Sequence, residues 1–294
     1  MRDRNRKPRR WKGDAGWRKC HAWASALLLS AASLTGMAAV ASAESTPLLP
    51  ILSAEIAGNI SPKTLPAHTM APVSLRIHGV IAMSDGSHPS ALREATMDLG
   101  RDVSINPEGL AVCRVSALRG RDVATARRIC RKSILGSGSA RFGIDASTQP
   151  PSSGQVPVSG EGQAMVSSQL TLFNGGVSNG TTTVLVHGSI SNSSPMSLIM
   201  VVKVEKRGNG SRAVAKIPSI AEGHGSLLDF KLTLGRYFWR EGEKQSYLNA
   251  KCTDRHLTAS FPALVFRNDA KQARVPSMTV LAGSVSVPCT PQAR

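Results

Sequence analysis

The chain has 294 residues, a net charge of +17 at pH 7 and an aromatic content of only 4%. The scarcity of aromatic side chains disfavours a nucleic-acid-binding protein that stacks bases on its rings, so we expect no nucleic-acid partner. The basic balance favours anionic partners, or serves solubility alone. The sequence contains no G-x-S-x-G, H-E-x-x-H, Walker, G-x-G-x-x-G or EF-hand motif, and we therefore expect no cofactor and no metal site.

Residues 1–43 have the organisation of a secretory signal peptide. A basic segment precedes the apolar run HAWASALLLSAASLTGMAAV, and the small residues Ala41-Ser42-Ala43 follow it. We predict ordinary export, cleavage after Ala43 and a secreted protein. The alternative is an uncleaved anchor helix, because the run approaches the length that spans a bilayer. No second long apolar segment follows, so no transmembrane span is expected in the mature chain.

Prolines punctuate residues 44–71, which we predict to be a flexible tether. The segment VSLRIHGVI, residues 73–81, then alternates apolar and polar side chains with period two, as a half-buried strand does. We expect one β domain over residues 72–294. The polar run ASTQPPSSGQVPVSGEGQ, residues 146–163, is predicted to be a connector that marks a subdivision of that domain.

The stretch GLAVCRVSALRGRDVATARRICRK, residues 109–132, is the most helix-like part of the chain. Asp122 suits a helix N-cap, and Gly136 is predicted to end the helix. One helical face carries Val123, Ala126, Cys130 and Ile134. The last turns carry four cations, which the helix dipole favours there: Arg127, Arg128, Arg131 and Lys132. These cations form either a solvated face or a ligand-binding surface.

Four cysteines remain after the leader, and an even number in an exported chain predicts two disulfides. Three connectivities are open. We favour Cys113–Cys130 and Cys252–Cys289, since each pair is local and occupies its own part of the chain.

The second half of the chain is richer in strand patterns. Asn209-Gly210 predicts a hairpin turn, and segments such as TTVLVHGSI, LLDFKLTL and SVSVPC alternate with period two. Together with the cysteines, this pattern predicts a mainly β protein: an antiparallel β-sandwich-like domain with one short disulfide-stapled helix.

Two histidines and one aromatic cluster are candidate ligand contacts. His78 and His187 each precede a glycine in a shared pattern, [IV]-H-G-x-I-x-x-S, and are expected on the non-core face of a strand. They are either solvent-facing or the titrating groups of a site. In GRYFWREGEK, Tyr237 and Trp239 are expected either to plug the core at a sheet edge or to contact a ligand.

Several segments carry a resemblance: PVSLRIHGVIAMSDGSHPSALRE, GLAVC with ARRIC downstream, LFNGG, TTTVLVHG and AKIPSIAEGHGSLLDFKLTL. Over residues 72–291 the chain resembles exported proteins of high-GC Gram-positive bacteria that have no assigned function. The resemblance implies one exported β-rich domain and supplies no catalytic residues.

The predicted function is that of an exported, non-enzymatic binding or structural module at the cell envelope, acting through its basic surface on an anionic polymer or lipid. The candidate ligand-binding residues are Arg127, Arg128, Arg131, Lys132, Tyr237, Trp239, His78 and His187. Two alternatives remain open: an extracellular hydrolase using His78 or His187 with carboxylates, and a secreted inhibitor or toxin-like protein presenting loops.

Overall fold

Alternating apolar and polar residues organise this chain as strands. The computed structural model describes residues 50–145, 163–190, 196–220, 225–267 and 278–292. The predicted signal peptide and nearly all of the predicted connector lie outside these residues.

The first part of the described chain contains seven strands and two short helices. The strands are β1 (Leu52–Ser61), β2 (Thr64–Pro66), β3 (Ala71–Pro72), β4 (Ser74–Met83), β5 (Ala91–Leu99), β6 (Val103–Ile105) and β7 (Ile134–Asp145). The helices are α1 (Val115–Leu118) and α2 (Val123–Ile129), followed by a 3₁₀ turn at Arg131–Ser133.

The remaining described residues add twelve strands. They are β8 (Gln163–Ser178), β9 (Thr181–Ile190), β10 (Met196–Arg207), β11 (Gly210–Lys216), β12 (Gly225–Leu234), β13 (Tyr237–Arg240), β14 (Glu243–Ser246), β15 (Leu248–Ala250), β16 (His256–Arg267), β17 (Met278–Val280), β18 (Gly283–Pro288) and β19 (Thr290–Gln292).

Twelve of these strands form one antiparallel sheet that curls into a nearly closed, barrel-like structure. Eleven follow the order β1-β4-β12-β7-β8-β9-β10-β11-β5-β16-β17, and β18 pairs with another part of β16. Strands β1 and β18 approach each other through side chains, and no backbone pairing joins them within the described residues. We call this gap the seam. The prediction of a mainly β antiparallel protein is confirmed, although one curved sheet replaces the two facing sheets of a sandwich.

The main hydrophobic core lies inside the curved sheet. Phe142, Leu170, Leu172, Val184 and Val186 are among its buried side chains. They come from the central strands β7, β8 and β9. Burial of apolar surface contributes about 25 cal/mol per Å², which makes this core the main source of stability.

Two inward-facing glycines allow neighbouring side chains to approach the sheet. A Cβ atom at Gly79 would lie 2.4 Å from the ring of Phe230, and one at Gly188 would lie 2.7 Å from Leu170. The preceding residues, His78 and His187, therefore share the outer face. The repeated H-G pattern thus reflects the same local requirement on β4 and β9, namely room for a large inward side chain from the adjacent strand.

The described part of the predicted tether, residues 50–71, contains strands and differs from that prediction. Strand β1 pairs with β4 over ten residue pairs, from Leu52↔Met83 to Ser61↔Ser74. The stretch LSAEIAGNIS in fact alternates with period two, and its flanking prolines, Pro50 and Pro62, stand just outside the strand, where no ladder hydrogen bond is lost.

Short strands and a disulfide close one end of the sheet. Strand β15 pairs with β3 and β6, and Tyr247 and Leu248 are buried in the main core. The Cys252–Cys289 disulfide, with a Cα–Cα distance of 6.0 Å, joins this region to the C-terminal strands. The predicted pairing of Cys252 with Cys289 is thus confirmed. Strand β19 then pairs in parallel with β2.

Replacing both Cys252 and Cys289 with serine should lower the free energy of unfolding by about 4 kcal/mol, because the unfolded chain regains the entropy of a long loop. Urea unfolding followed by circular dichroism would measure the loss. A change below about 1 kcal/mol would contradict the structural role assigned to this bond.

Candidate functional site

Residues 109–134 form a compact element on the outer face of the sheet, which we call the stapled lobe. Leu118 and Ala126 from its two helices are fully buried against Phe173 of β8 and Leu185 of β9. These side chains make a second, smaller hydrophobic core. The lobe is therefore packed onto the sheet and positions its outward side chains.

The backbone of the stapled lobe is held at several points. The Cys113–Cys130 disulfide spans a Cα–Cα distance of 5.6 Å, as predicted. The Asp122 carboxylate caps α2 by accepting a hydrogen bond from the Thr125 amide at 2.8 Å. This bond holds the pKa of Asp122 below its usual range. The predicted N-cap is thus confirmed.

Two details of the lobe differ from the sequence prediction. Helix α2 ends at Ile129, and strand β7 already begins at Ile134, so Gly136 does not end the helix. A Cβ at Gly136 would lie 2.0 Å from the Thr233 carbonyl oxygen. The close approach of β7 to β12 at this point therefore requires a glycine. The period-two pattern that continues loosely into GLAVC, residues 109–113, suggested a strand there, whereas Cys113 lies in a loop.

Asn174 of β8 anchors the entry to the lobe and was not singled out from the sequence. Its buried side-chain amide donates to the carbonyls of Leu110 and Ala111 at 3.3 and 3.2 Å. The backbone carbonyl of Asn174 accepts from the Cys113 amide at 2.8 Å. A polar residue in the apolar run LTLFNGG was the available signal, because a buried amide needs partners.

The outer surface of the stapled lobe is strongly cationic. Its exposed cations are Arg114, Arg119, Arg121, Arg127, Arg128, Arg131 and Lys132. Among the described residues none of them forms an ion pair, whereas Arg212 elsewhere binds Asp98 at 2.6 Å. The single acid of the lobe, Asp122, is engaged as the helix cap. The four predicted cations thus belong to a larger surface that includes three further arginines.

Apolar side chains accompany these cations at the surface. Ile129, at the end of α2, is 52% exposed, and Val112 is 55% exposed. Val112 lies against Gly176. A Cβ atom at Gly176 would be 3.2 Å from the methyl groups of Val112. The lobe therefore presents apolar contacts together with its positive charge.

His187 lies on the outer, non-core face of its strand, as predicted, but it is buried there, so the solvent-facing interpretation is wrong. It lies beneath the stapled lobe, where its Nε2 is 3.0 Å from the Arg121 carbonyl oxygen and 3.2 Å from Ser197 Oγ. Nδ1 of His187 and the hydroxyl of its cross-strand neighbour Thr171 are both buried without a hydrogen-bond partner in the structure. Burial lowers the pKa of His187 below its ordinary value, which favours the neutral ring.

His78 is exposed on β4, as predicted, opposite Ala57 and Lys231 on the neighbouring strands. Along the sheet, β12, β7 and β8 separate it from His187 on β9. Strands lie about 4.8 Å apart, so the two histidines are too distant to share a site. In the described part of the chain no three His, Cys, Asp or Glu side chains are grouped to hold a metal ion.

The aromatic cluster forms an exposed hairpin, which we call the aromatic hairpin, from β13 and β14. Trp239 is 74% exposed and Tyr237 is 40% exposed, so the core-plug interpretation of these residues is wrong. The Lys244 ammonium lies 4.7 Å from the centroid of the Tyr237 ring and is the cross-strand partner of Trp239. The three side chains share one face of the hairpin.

The base of the aromatic hairpin contacts the segment that leads into the stapled lobe. Arg240 donates to Glu108 at 2.9 Å. The ring of Phe238 lies against Gly109, whose φ of +79° is readily adopted only by glycine. The hairpin and the lobe are thus linked through residues 108–109.

Comparison with known proteins supplies no relative. No protein-family model matches the chain, and no significant match exists among curated proteins or solved structures. Two disulfides are typical of an oxidising compartment. Within the described residues, helices that combine the length and apolarity needed to span a membrane are absent.

The buried His187 predicts acid sensitivity. The unfolded chain accepts a proton at about pH 6.5, whereas the folded chain resists it, so the free energy of unfolding should fall as the pH drops below about 6.5. Urea titrations between about pH 5 and about pH 8 would measure this slope. His187→Gln, which retains a donor for the Arg121 carbonyl, should flatten this dependence of the free energy of unfolding on pH. An unchanged slope in His187→Gln would contradict the assignment.

Removal of the Cys113–Cys130 bond should loosen the stapled lobe more than the sheet. The double serine variant is expected to lose about 3 kcal/mol of local stability. Hydrogen exchange would then rise in α1 and α2 and stay low in β7. Equal increases in both regions would show that the lobe unfolds only together with the sheet.

Proposed function

We propose that this protein is an exported, non-enzymatic binding module that attaches to an anionic surface of the cell envelope through the stapled lobe. The observation that carries the proposal is the set of seven exposed cations without carboxylate partners among the described residues. An ordinary solvated face mixes both signs of charge. The two disulfides support an exported location, since such bonds persist in oxidising compartments.

The composition of the lobe favours phosphate or carboxylate groups as the ligand. Six of its seven exposed cations are arginines, and Lys132 is the seventh. A guanidinium group can donate two parallel hydrogen bonds to such an anion, which a lysine ammonium cannot do. Phosphate-rich envelope polymers and anionic lipid headgroups both present this chemistry.

Rigidity supports binding by the lobe. The disulfide, the Asp122 cap and Asn174 fix the backbone that carries the cations. Fewer degrees of freedom are then lost when a surface is bound, which reduces the entropic cost of association. A basic residue close to an anionic membrane contributes about 1 kcal/mol, so several together produce measurable affinity.

The aromatic hairpin offers a second contact with an envelope polymer. The exposed ring of Trp239 and the Tyr237–Lys244 pair provide a flat apolar surface beside a cation. Such a surface can stack on a sugar ring while the cation binds a neighbouring anionic group. The hairpin therefore adds a preference for polymers that carry both sugars and anions.

The test is co-sedimentation of the mature protein with purified cell walls, with phosphatidylglycerol vesicles and with phosphatidylcholine vesicles. Replacing Arg127, Arg128, Arg131 and Lys132 with alanine should weaken binding to an anionic target at least about tenfold, as each cation contributes about 1 kcal/mol near such a surface. Raising the salt from about 0.05 M to about 0.5 M should also weaken binding, since salt screens exposed charges.

The matched control removes four exposed cations from β10 and β11: Lys203, Lys206, Arg207 and Lys216. It changes the net charge equally and should retain most binding. Equal losses in the two variants would show that net charge alone acts, and no pelleting of the parent protein on any target would refute the proposal. Pelleting with cell walls but not with phosphatidylglycerol vesicles, or with these vesicles but not with cell walls, would identify the source of the anion.

A further inference from the structure

A polar cleft lies on the outer face of the sheet, where β1 ends and β4 begins. Its volume is about 250 Å³, and its lining consists of Asn59, Ile60, Ser61, Lys63, Ser74 and Arg76. Pockets for drug-sized ligands measure roughly 300–1,000 Å³, so this cleft has room for a smaller solute. We call it the strand-end cleft.

The register of β1 and β4 brings the polar side chains of the cleft together. Asn59 lies opposite Arg76, and Ser61 lies opposite Ser74. All four alternate with inward-facing residues and therefore share the outer face of the sheet. Side chains directly opposite each other on antiparallel strands have Cβ atoms about 4.5–5.5 Å apart. A ligand of a few atoms can therefore contact both members of a pair.

The backbone around the strand-end cleft is held by contacts with other strands. The Thr290 amide of β19 donates to the Lys63 carbonyl at 2.9 Å, which fixes the turn after β1. The backbone at Gly235 packs closely on Ser74, since a Cβ at Gly235 would lie 2.7 Å from the Ser74 Cβ. A backbone fixed in this way loses less freedom when a ligand binds, which lowers the entropic cost of association.

The strand-end cleft carries two cations and no acid in its lining. Lys63 and Arg76 are exposed, and neither forms an ion pair in the described part of the chain. Glu55 shares the outer face of β1 but lies about 13 Å before the cleft, because strands rise about 3.3 Å per residue. The acid of the neighbouring strand β12, Asp229, is bonded to Arg141. Two positive charges are therefore available to a ligand.

This arrangement matches a phosphomonoester. The Arg76 guanidinium can donate two parallel hydrogen bonds to phosphate oxygens, and the Lys63 ammonium adds a second positive charge. A phosphomonoester carries about −1.5 to −2 charges at pH 7, which balances the two cations, whereas a phosphodiester carries a single negative charge. The hydroxyls of Ser61 and Ser74 and the Asn59 amide can bind the hydroxyl groups of the alcohol part.

We propose that the strand-end cleft binds a small, hydroxylated phosphomonoester of the size of glycerol 3-phosphate. The cleft lies on β1 and β4, whereas the stapled lobe covers β8 and β9. The proposal therefore does not depend on the function proposed for the lobe.

The experiment titrates the mature, disulfide-bonded protein with glycerol 3-phosphate, with the diester glycerophosphoglycerol and with glycerol, and follows backbone amide signals by NMR. The monoester should shift the amides of residues 59–61, 63 and 74–76, and glycerol should not. The monoester should also bind at least about fivefold more tightly than the diester, because its extra charge interacts with both cations. Absence of shifts at these positions, or equal affinity for the two esters, would overturn the proposal.

Charge-matched variants place the site. Replacing Lys63 and Arg76 with glutamine should weaken binding of glycerol 3-phosphate at least about tenfold, which corresponds to about 1.4 kcal/mol. The control replaces Lys203 and Lys206 of β10 with glutamine and should retain the affinity. All four side chains are exposed, so both variants should fold, as circular dichroism would verify. Equal losses in the two variants would show that net charge alone acts and would contradict the proposal.

The variant of the stapled lobe with four alanines separates the two proposed sites. It should lose binding to cell walls or anionic vesicles and should still bind glycerol 3-phosphate at the strand-end cleft. Loss of glycerol 3-phosphate binding in this variant would place the ester on the lobe and refute the second site.

Discussion

Strands β8 and β9 carry apolar side chains on both faces, and this arrangement requires a cover on the outside of the sheet. Leu172 and Val186 face the main core, whereas Phe173 and Leu185 face outward. Without a cover, the outward pair would leave apolar surface in water. The stapled lobe provides that cover. Its disulfide, the buried Asn174 and the burial of His187 all follow from this packing.

The same packing concentrates positive charge. Burying one side of the short helices directs their arginines outward, onto a surface where Asp122 is the only acid and is already a cap. Mutual repulsion among these cations disfavours a compact lobe. A local disulfide, which contributes about 3 kcal/mol for a loop of this size, offsets that repulsion. The staple and the charge are thus physically connected, and this connection supports a binding role for the lobe.

Incomplete closure of the sheet has a separate consequence. The seam lies between β1 and β18, whereas the stapled lobe covers β8 and β9, which are four and five positions from β1 in the sheet order. The apolar interior beside the seam and the exposed guanidinium groups of the lobe therefore lie on different parts of the sheet.

The sequence by itself determined the features that depend on neighbouring residues. Period-two alternation located strands such as β4, the local spacing of the cysteines predicted both disulfides, and Asp122 was recognisable as a cap because its partner is three residues away. Alternation shows which side chains share a face, but not what covers that face. Only the tertiary structure therefore decided that His187 is buried and Trp239 exposed. It also decided that β1 joins β4 and that one sheet curls around its own core, because strand pairing and closure depend on contacts between residues far apart in the chain.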